Sequence, residues 1–175
     1  MLDYDTFVRL LTVYDKENKK LNFFDPYPAQ EMLMHALENC DKIIILKARQ
    51  LGISTITAGY VAYDVEPRSY GVIAHTKDAA NNIANMDKTF HDNLPQQMQK
   101  NILKNNVSEL LFDQSKASLK SFTASSKGGT RSFQLDGVHL SEFAFYEDQE
   151  EFLSTMMATI GANQIIIEST PNEMG

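Results

Sequence analysis

Short runs of β-branched and apolar residues recur along this chain, and between them apolar positions return at helical spacing. The stretches "KIIILK" (42–47), "SYGVIAH" (69–75), "QLDGVHL" (134–140) and "NQIIIEST" (163–170) have the length of strands rather than helices and read as buried strands. In 76–94, Ala79, Ile83, Met86 and Phe90 share one helical face; in 148–160, Phe152, Met156 and Ile160 do the same. A further helix is predicted at "STITAGYVAYDV" (54–65). Strand then helix, repeated, predicts an α/β domain with a mainly parallel sheet flanked by helices. Two more strands, 108–113 and 117–124, predict a hairpin at the sheet edge. The N-terminal "DYDTFVRLLTVY" predicts a helix packed outside the main fold, followed by a polar loop, "DKENKK". No repeat or linker divides residues 1–175, so one domain is expected. The last predicted strand ends five residues before Gly175, where a closing helix would be expected to follow, so the chain reads as a fragment.

Composition narrows the function. With 43% hydrophobic residues and 10% aromatics, 175 residues can bury a real core. A formal charge of -7 argues against a surface that grips nucleic acid unaided, so any DNA contact must be local or shared. The single cysteine, Cys40, excludes an internal disulfide or a CxxC metal site. Histidines 35, 75, 91 and 139 have no metal-ligand spacing. No apolar run approaches a membrane span and the N-terminus lacks a signal peptide's pattern, so a soluble intracellular protein is expected.

Candidate chemistry begins at "KARQLGIST" (47–55). A phosphate-binding loop of the form G-x-x-x-x-G-K-[ST] would place its lysine at Ile53, yet the lysine here is Lys47, at the start of the loop. The other parts have candidates: a strand "IIIL", Gly52 for close backbone approach, Ser54 and Thr55 opening a helix, and Arg49 as a second cation. The plainer reading is a strand-to-helix turn with solvated cations. In "GVHLSEFAFYED" (137–148), Glu142 follows a strand and can polarise an attacking water, while Ser141 stands where an aspartate ordinarily holds the Mg²⁺ shell. Asp136 is too far along the strand to substitute, about 20 Å away. Metal binding therefore falls mainly to Ser54 and the nucleotide, and an aspartate restored at 141 would be expected to tighten it. Glu142 is equally open to reading as a helix cap. Ser169 and Thr170 in "IIIESTPN" can bond a γ-phosphate or Glu142, or simply form a turn.

These three stretches, in this order, resemble the ATPase domain of the large terminase subunit, the DNA-packaging motor of tailed bacteriophages and herpesviruses. The resemblance covers nearly the whole chain. It implies a P-loop NTPase (ASCE/RecA-like) architecture, ATP and Mg²⁺ as ligands, and a deviant Walker A motif with its lysine displaced to Lys47. It implies nucleotide binding by Gln30, Lys47, Arg49, Gln50, Gly52, Ile53, Ser54 and Thr55, with Ile53 only packing and Gln30, near Tyr27, reading the adenine edge. Ser54 is the implied metal ligand, Glu142 the catalytic carboxylate, and Ser169 with Thr170 the coupling motif. Arg131 in "KGGTRSFQ" is implied to enter a neighbouring subunit's site. The implied partners are double-stranded DNA, portal protein and the small terminase subunit, in a homo-oligomeric ring that is a monomer in isolation. The implied location is the cytoplasm of the infected bacterial host. The family's C-terminal nuclease domain has no counterpart in these residues, so no nuclease activity is expected. A helicase-like ATPase and a non-catalytic nucleotide-binding assembly module remain the alternatives.

Overall fold

The apolar runs pair edge to edge into one seven-stranded sheet. A computed structural model of the chain describes residues 3–15, 18–65, 68–125, 134–159 and 164–171. In chain order the elements are α1 (Tyr4–Val8), β1 (Thr12–Asp15), β2 (Lys20–Phe23), α2 (Pro28–Asn39), β3 (Lys42–Leu46), α3 (Ile53–Asp64), β4 (Tyr70–Ala74), α4 (Lys77–Asn93), β5 (Ile102–Asn106), β6 (Glu109–Phe112), β7 (Ser118–Thr123), β8 (Gly137–Ser141), α5 (Gln149–Thr159) and β9 (Gln164–Ser169). The sheet order is β3-β9-β8-β4-β7-β6-β5. The first five of these strands are mutually parallel; β6 pairs antiparallel with β7, and β5 pairs antiparallel with β6. β9, last in the chain, thus lies between β3 and β8.

Alternation along each strand builds two cores on opposite sheet faces. Ile43, Val72 and Ile166 join one cluster with residues of α1 to α4, whereas Ile73, Val138, Leu140 and Ile165 join the other with Tyr146 and Met156. Burial of each such side chain contributes about 1.5 to 3 kcal/mol. The predicted strands and helices of the central sheet agree with the structure to within three residues at each end. On α4 the buried stripe is Ala80, Ile83, Ala84, Asp87 and Phe90, rotated from the predicted face because Ala79 and Met86 are only half-buried.

Four expectations need correction. The N-terminal helix stops at Val8, and β-branched Thr12 and Val13 with Tyr14 instead pair with Lys20–Phe23 as a hairpin, so that of the predicted loop Asp15 ends the first strand, Asn18 and Lys19 lie in the turn and Lys20 begins the second strand. Nor does α1 lie outside the fold: Tyr4, Phe7 and Val8 are buried, and Tyr4 Oη donates to Ile56 O at 2.8 Å. The hairpin β6–β7 is not the sheet's edge, since the largely polar "ILKNN" of β5, which carries no period-two apolar signal, pairs outside it. Finally, β3 is an edge strand rather than a buried one, with Ile44 81% and Leu46 76% exposed, because helices cover only the face that holds Ile43.

Candidate active site

Parallel strands bring their C-terminal ends to one edge of the sheet, and in such folds that edge is where ligands bind. Here it carries Lys47 after β3, Glu142 after β8, and Ser169 with Thr170 closing β9. The Lys47 amide extends the ladder by donating to Ser169 O at 3.0 Å. Its side chain, only 10% exposed, reaches across β9 so that Nζ lies 3.0 Å from Glu142 Oε1 and 3.9 Å from Glu168 Oε2. The other Glu142 oxygen, Oε2, accepts from Thr170 N at 3.0 Å and Thr170 Oγ1 at 2.8 Å. Ser169 Oγ accepts from Ala144 N at 3.0 Å and donates to Thr170 O at 2.9 Å, which ties the turn after Glu142 to β9.

Glu142 itself is left-handed, with φ 54° and ψ 47°. A non-glycine residue holds that conformation only where its surroundings over-determine it, and such strain clusters at functional positions. Partial burial opposes ionisation of this carboxyl, but the Thr170 amide, the Lys47 ammonium and the Thr170 hydroxyl outweigh it and hold the group below the ordinary glutamate range.

The loop between β3 and α3 is fastened from α2. Tyr27 Oη and Gln30 Nε2 both donate to Leu51 O, the latter at 3.1 Å, while Gln30 Oε1 accepts from Tyr27 N at 3.2 Å. The Gln30 amide is therefore engaged at both ends and buried. Gly52 has φ +62°, and a Cβ there would sit 2.5 Å from Gln30 Nε2, so glycine serves both the turn and the close approach. Gln50, also at positive φ, and Arg49 are exposed. Ile53 packs in the core, leaving only its backbone N–H to face a ligand. Ser54 and Thr55 are half-buried in the first turn of α3. Among the described residues, no backbone acceptor takes a hydrogen bond from the amides of 48–55. Those amides, at the positive end of a helix, are of the kind that can accept an anion. Arg131 lies outside the described residues. Asp136, as expected, is at the far end of β8, where Oδ2 accepts from Ser69 N at 2.8 Å.

Two functional-looking residues escaped the sequence reading. Glu168 is 0% exposed, accepts from Ser141 Oγ at 3.0 Å, and lies 3.1 Å from His139 Nε2, within ion-pair distance but off hydrogen-bond alignment. Burial disfavours its charge, yet His139 beside it, the Lys47 cation and the Ser54 hydroxyl bring its carboxyl down to about 2. The available signal was a single charge inside an apolar strand run, a position that is almost never occupied by glutamate without a partner.

The order of strands, with β9 between the loop-bearing β3 and the carboxylate-bearing β8, and the helix opening behind the loop define a P-loop-type α/β domain. No family model and no curated protein matches the chain. Solved structures do share the fold. The HK97 bacteriophage large terminase superimposes with a TM-score of 0.70 at 17% identity, over 97% of this chain and 38% of that one. A mutant ATPase domain of the Thermus phage P74-26 large terminase gives 0.64 at 16% identity, over 87% and 68%. The large terminase of another thermophilic bacteriophage, in complex with ADP, gives 0.54 at 14% identity, over 78% and 34%. The fold is that of large terminase ATPase domains, and this chain spans well under half the length of the HK97 protein and of the ADP-bound one.

Proposed function

We propose that this chain is the ATPase domain of a viral large terminase subunit, hydrolysing ATP to move double-stranded DNA into a procapsid. The observation that carries the reading is the meeting of Lys47 and Thr170 on the two oxygens of Glu142, beside an α3 N-terminus with free amides. The similar structures include a large terminase in complex with ADP and with ATP-gamma-S, which supports a nucleotide as the ligand.

The chemistry follows from the groups present. The amides of the loop and of the first turn of α3 bind the phosphates, and the Lys47 ammonium, whose present partner is the Glu142 carboxylate, neutralises their charge. Exchange of that partner for phosphate frees Glu142 Oε1 to orient a water, while Thr170 continues to hold Oε2 and thereby the aim of the group. Because Ser169 ends β9 and Thr170 follows it, and the pair bonds to both Glu142 and the turn behind it, a change at Glu142 is transmitted to β9. Mg²⁺ fits this donor set. Ser54 offers a hydroxyl in the first turn of α3, and Mg²⁺ needs only one or two protein oxygens alongside phosphates and waters, so the lack of any three-residue acidic or histidine cluster among the described residues is no obstacle. When bound, the ion neutralises developing charge on the phosphates.

In the assembled motor the chain works as a ring with DNA, portal protein and the small terminase subunit, in the host cytoplasm, and Arg131 serves the adjoining subunit's site. No described helix is long and apolar enough to cross a membrane. Calorimetric titration with ATP, with and without Mg²⁺, tests the core of this reading together with phosphate release. Binding that strengthens with Mg²⁺, followed by turnover, is expected. Absence of nucleotide binding would overturn it, and binding without turnover under ring-forming conditions would leave a non-catalytic assembly module.

A further inference from the structure

Ser141 stands where the Mg²⁺ shell of this fold ordinarily finds a carboxylate, and the strand beside it carries one. Cross-strand register pairs Ser141 of β8 directly with Glu168 of β9. In the same register His139 faces Ile166, and Ile45 faces Glu168. Side chains alternate along strands, so Ser141, Glu168 and His139 share the sheet face that packs against α3, the helix whose first turn bears Ser54. The glutamate leans back toward β8, where Oε1 meets Ser141 Oγ at 3.0 Å. Its other oxygen, Oε2, is fully buried with no partner in hydrogen-bond alignment; the Ser54 hydroxyl lies beside the carboxylate, and the only cation near Oε2 among the described residues is Lys47 Nζ, at 3.9 Å.

We propose that Glu168 supplies, from β9, the carboxylate of the Mg²⁺ shell that Ser141 cannot, so that the acidic position of the site has moved one strand across. A neutral residue at 168 would satisfy Ser141 without burying a charge, and a buried carboxylate with an open oxygen is costly unless something cationic completes it. Lys47 completes it only in part at 3.9 Å, and Lys47 is also the group that the phosphates draw away. Ser141 then acts as the donor that fixes the rotamer of Glu168, and His139 as the neighbour that keeps it ionised.

The arrangement changes what Ser141→Asp should do. An aspartate there would set a second carboxylate against a buried one about 3 Å away, and like charges so placed cannot both ionise. The single substitution is therefore expected to weaken metal binding, opposite to the expectation from sequence.

This inference rests on the ATPase reading, and the test separates the two. The protein with bound ADP is titrated with Mn²⁺ and free metal is followed by electron paramagnetic resonance, for wild type, Glu168→Gln and the exchange variant Ser141→Asp/Glu168→Ser. Circular dichroism reports folding. Glu168→Gln is expected to lose about 10- to 100-fold in Mn²⁺ affinity while its ADP affinity without metal stays within twofold, and the exchange variant to recover most of the loss. Folded Glu168→Gln that binds Mn²⁺ like wild type would overturn the proposal. Should Glu168→Gln fail to fold, the exchange variant decides: wild-type Mn²⁺ affinity supports the transfer of the carboxylate, whereas weak affinity or a second unfolded protein assigns Glu168 a structural part alone and overturns it. Wild-type protein that binds no ADP would instead refute the ATPase reading itself.

Discussion

The two ends of β8 and β9 carry polar clusters of similar make-up and opposite character. At their N-terminal ends Asp136 accepts from Ser69 N, and Gln164 Nε2 donates to Leu37 O at 2.9 Å and lies 3.2 Å from Tyr60 Oη. The half-buried Asp136 and the buried Gln164 each have their partners. Toward the C-terminal ends, Glu168 Oε2 and, in mid-strand, the ring nitrogens of His139 are buried without a partner in hydrogen-bond alignment, and Glu142 is held left-handed. Buried polar groups in native proteins are normally satisfied, so the first cluster is what stability alone produces. Unpaired atoms and strain at the second mark a surface arranged for something that is not protein.

Substitutions at the two ends should therefore fail in different ways. The largest effect is expected from Glu142→Gln, which keeps the side chain's shape but not its basicity: ATP hydrolysis should fall by about 10²- to 10⁴-fold with binding retained. Phosphate release and calorimetry on one preparation check this, and a wild-type rate would place the catalytic carboxylate elsewhere. Next, Lys47→Ala should cost about 1.5 to 3 kcal/mol of ATP affinity, the worth of a charge-assisted contact. Ile53→Ala, at the position where the usual loop has its lysine, should instead cost about 2 to 5 kcal/mol of stability through a core cavity and leave the affinity of the folded protein nearly intact. Equal ATP affinity in wild type and Lys47→Ala would end the displaced-lysine reading.

At the opposite end, Gln164→Leu should destabilise the fold by about 1 to 3 kcal/mol in urea denaturation, because Leu37 O loses its donor, while ATP affinity is unchanged. A loss of affinity there would erase the distinction between the two ends. The smallest effect concerns Asp87 on α4, whose two carboxylate oxygens are buried without partners beside a cavity of about 930 Å³ lined also by Leu94, Leu110 and Phe112. Burial pushes this carboxyl well above its ordinary value. A raised carboxyl pKa means that folding takes up a proton, so stability is greatest below the unfolded value near 3.8 and is lost as pH rises toward the folded one. Asp87→Asn should thus stabilise by about 1 to 2 kcal/mol at pH 7, with a gain that shrinks as pH approaches 4. A gain independent of pH would show that Asp87 is not the titrating group.

Much of this was legible beforehand where local pattern and burial agree. β4 and β9 are apolar runs of strand length, and α4 shows helical periodicity over seventeen residues, so each was readable without its neighbours. The loop residues Gly52, Ser54 and Lys47 were readable because backbone freedom, a helix-opening hydroxyl and a cation are local properties. β5 was not, because "ILKNN" becomes a strand only through pairing with β6. The N-terminal segment misled for a related reason: its apolar residues suit a helix or a strand, and the partner strand at Lys20–Phe23 made the choice.

The sequence by itself determined the α/β class and the places of the β3–α3 loop and of Glu142 at strand ends, since these depend on periodicity and on spacing within about ten residues of chain. Only the tertiary structure decided that β9 enters between β3 and β8, and with it every cross-strand relation of the site. Strand order depends on the free energy of the whole sheet packing under its helices, which no local window contains. For that reason Lys47 could be found from sequence but not its partner Glu142, 95 residues away, and Ser141 could be seen to lack a carboxylate but not that Glu168 stands beside it.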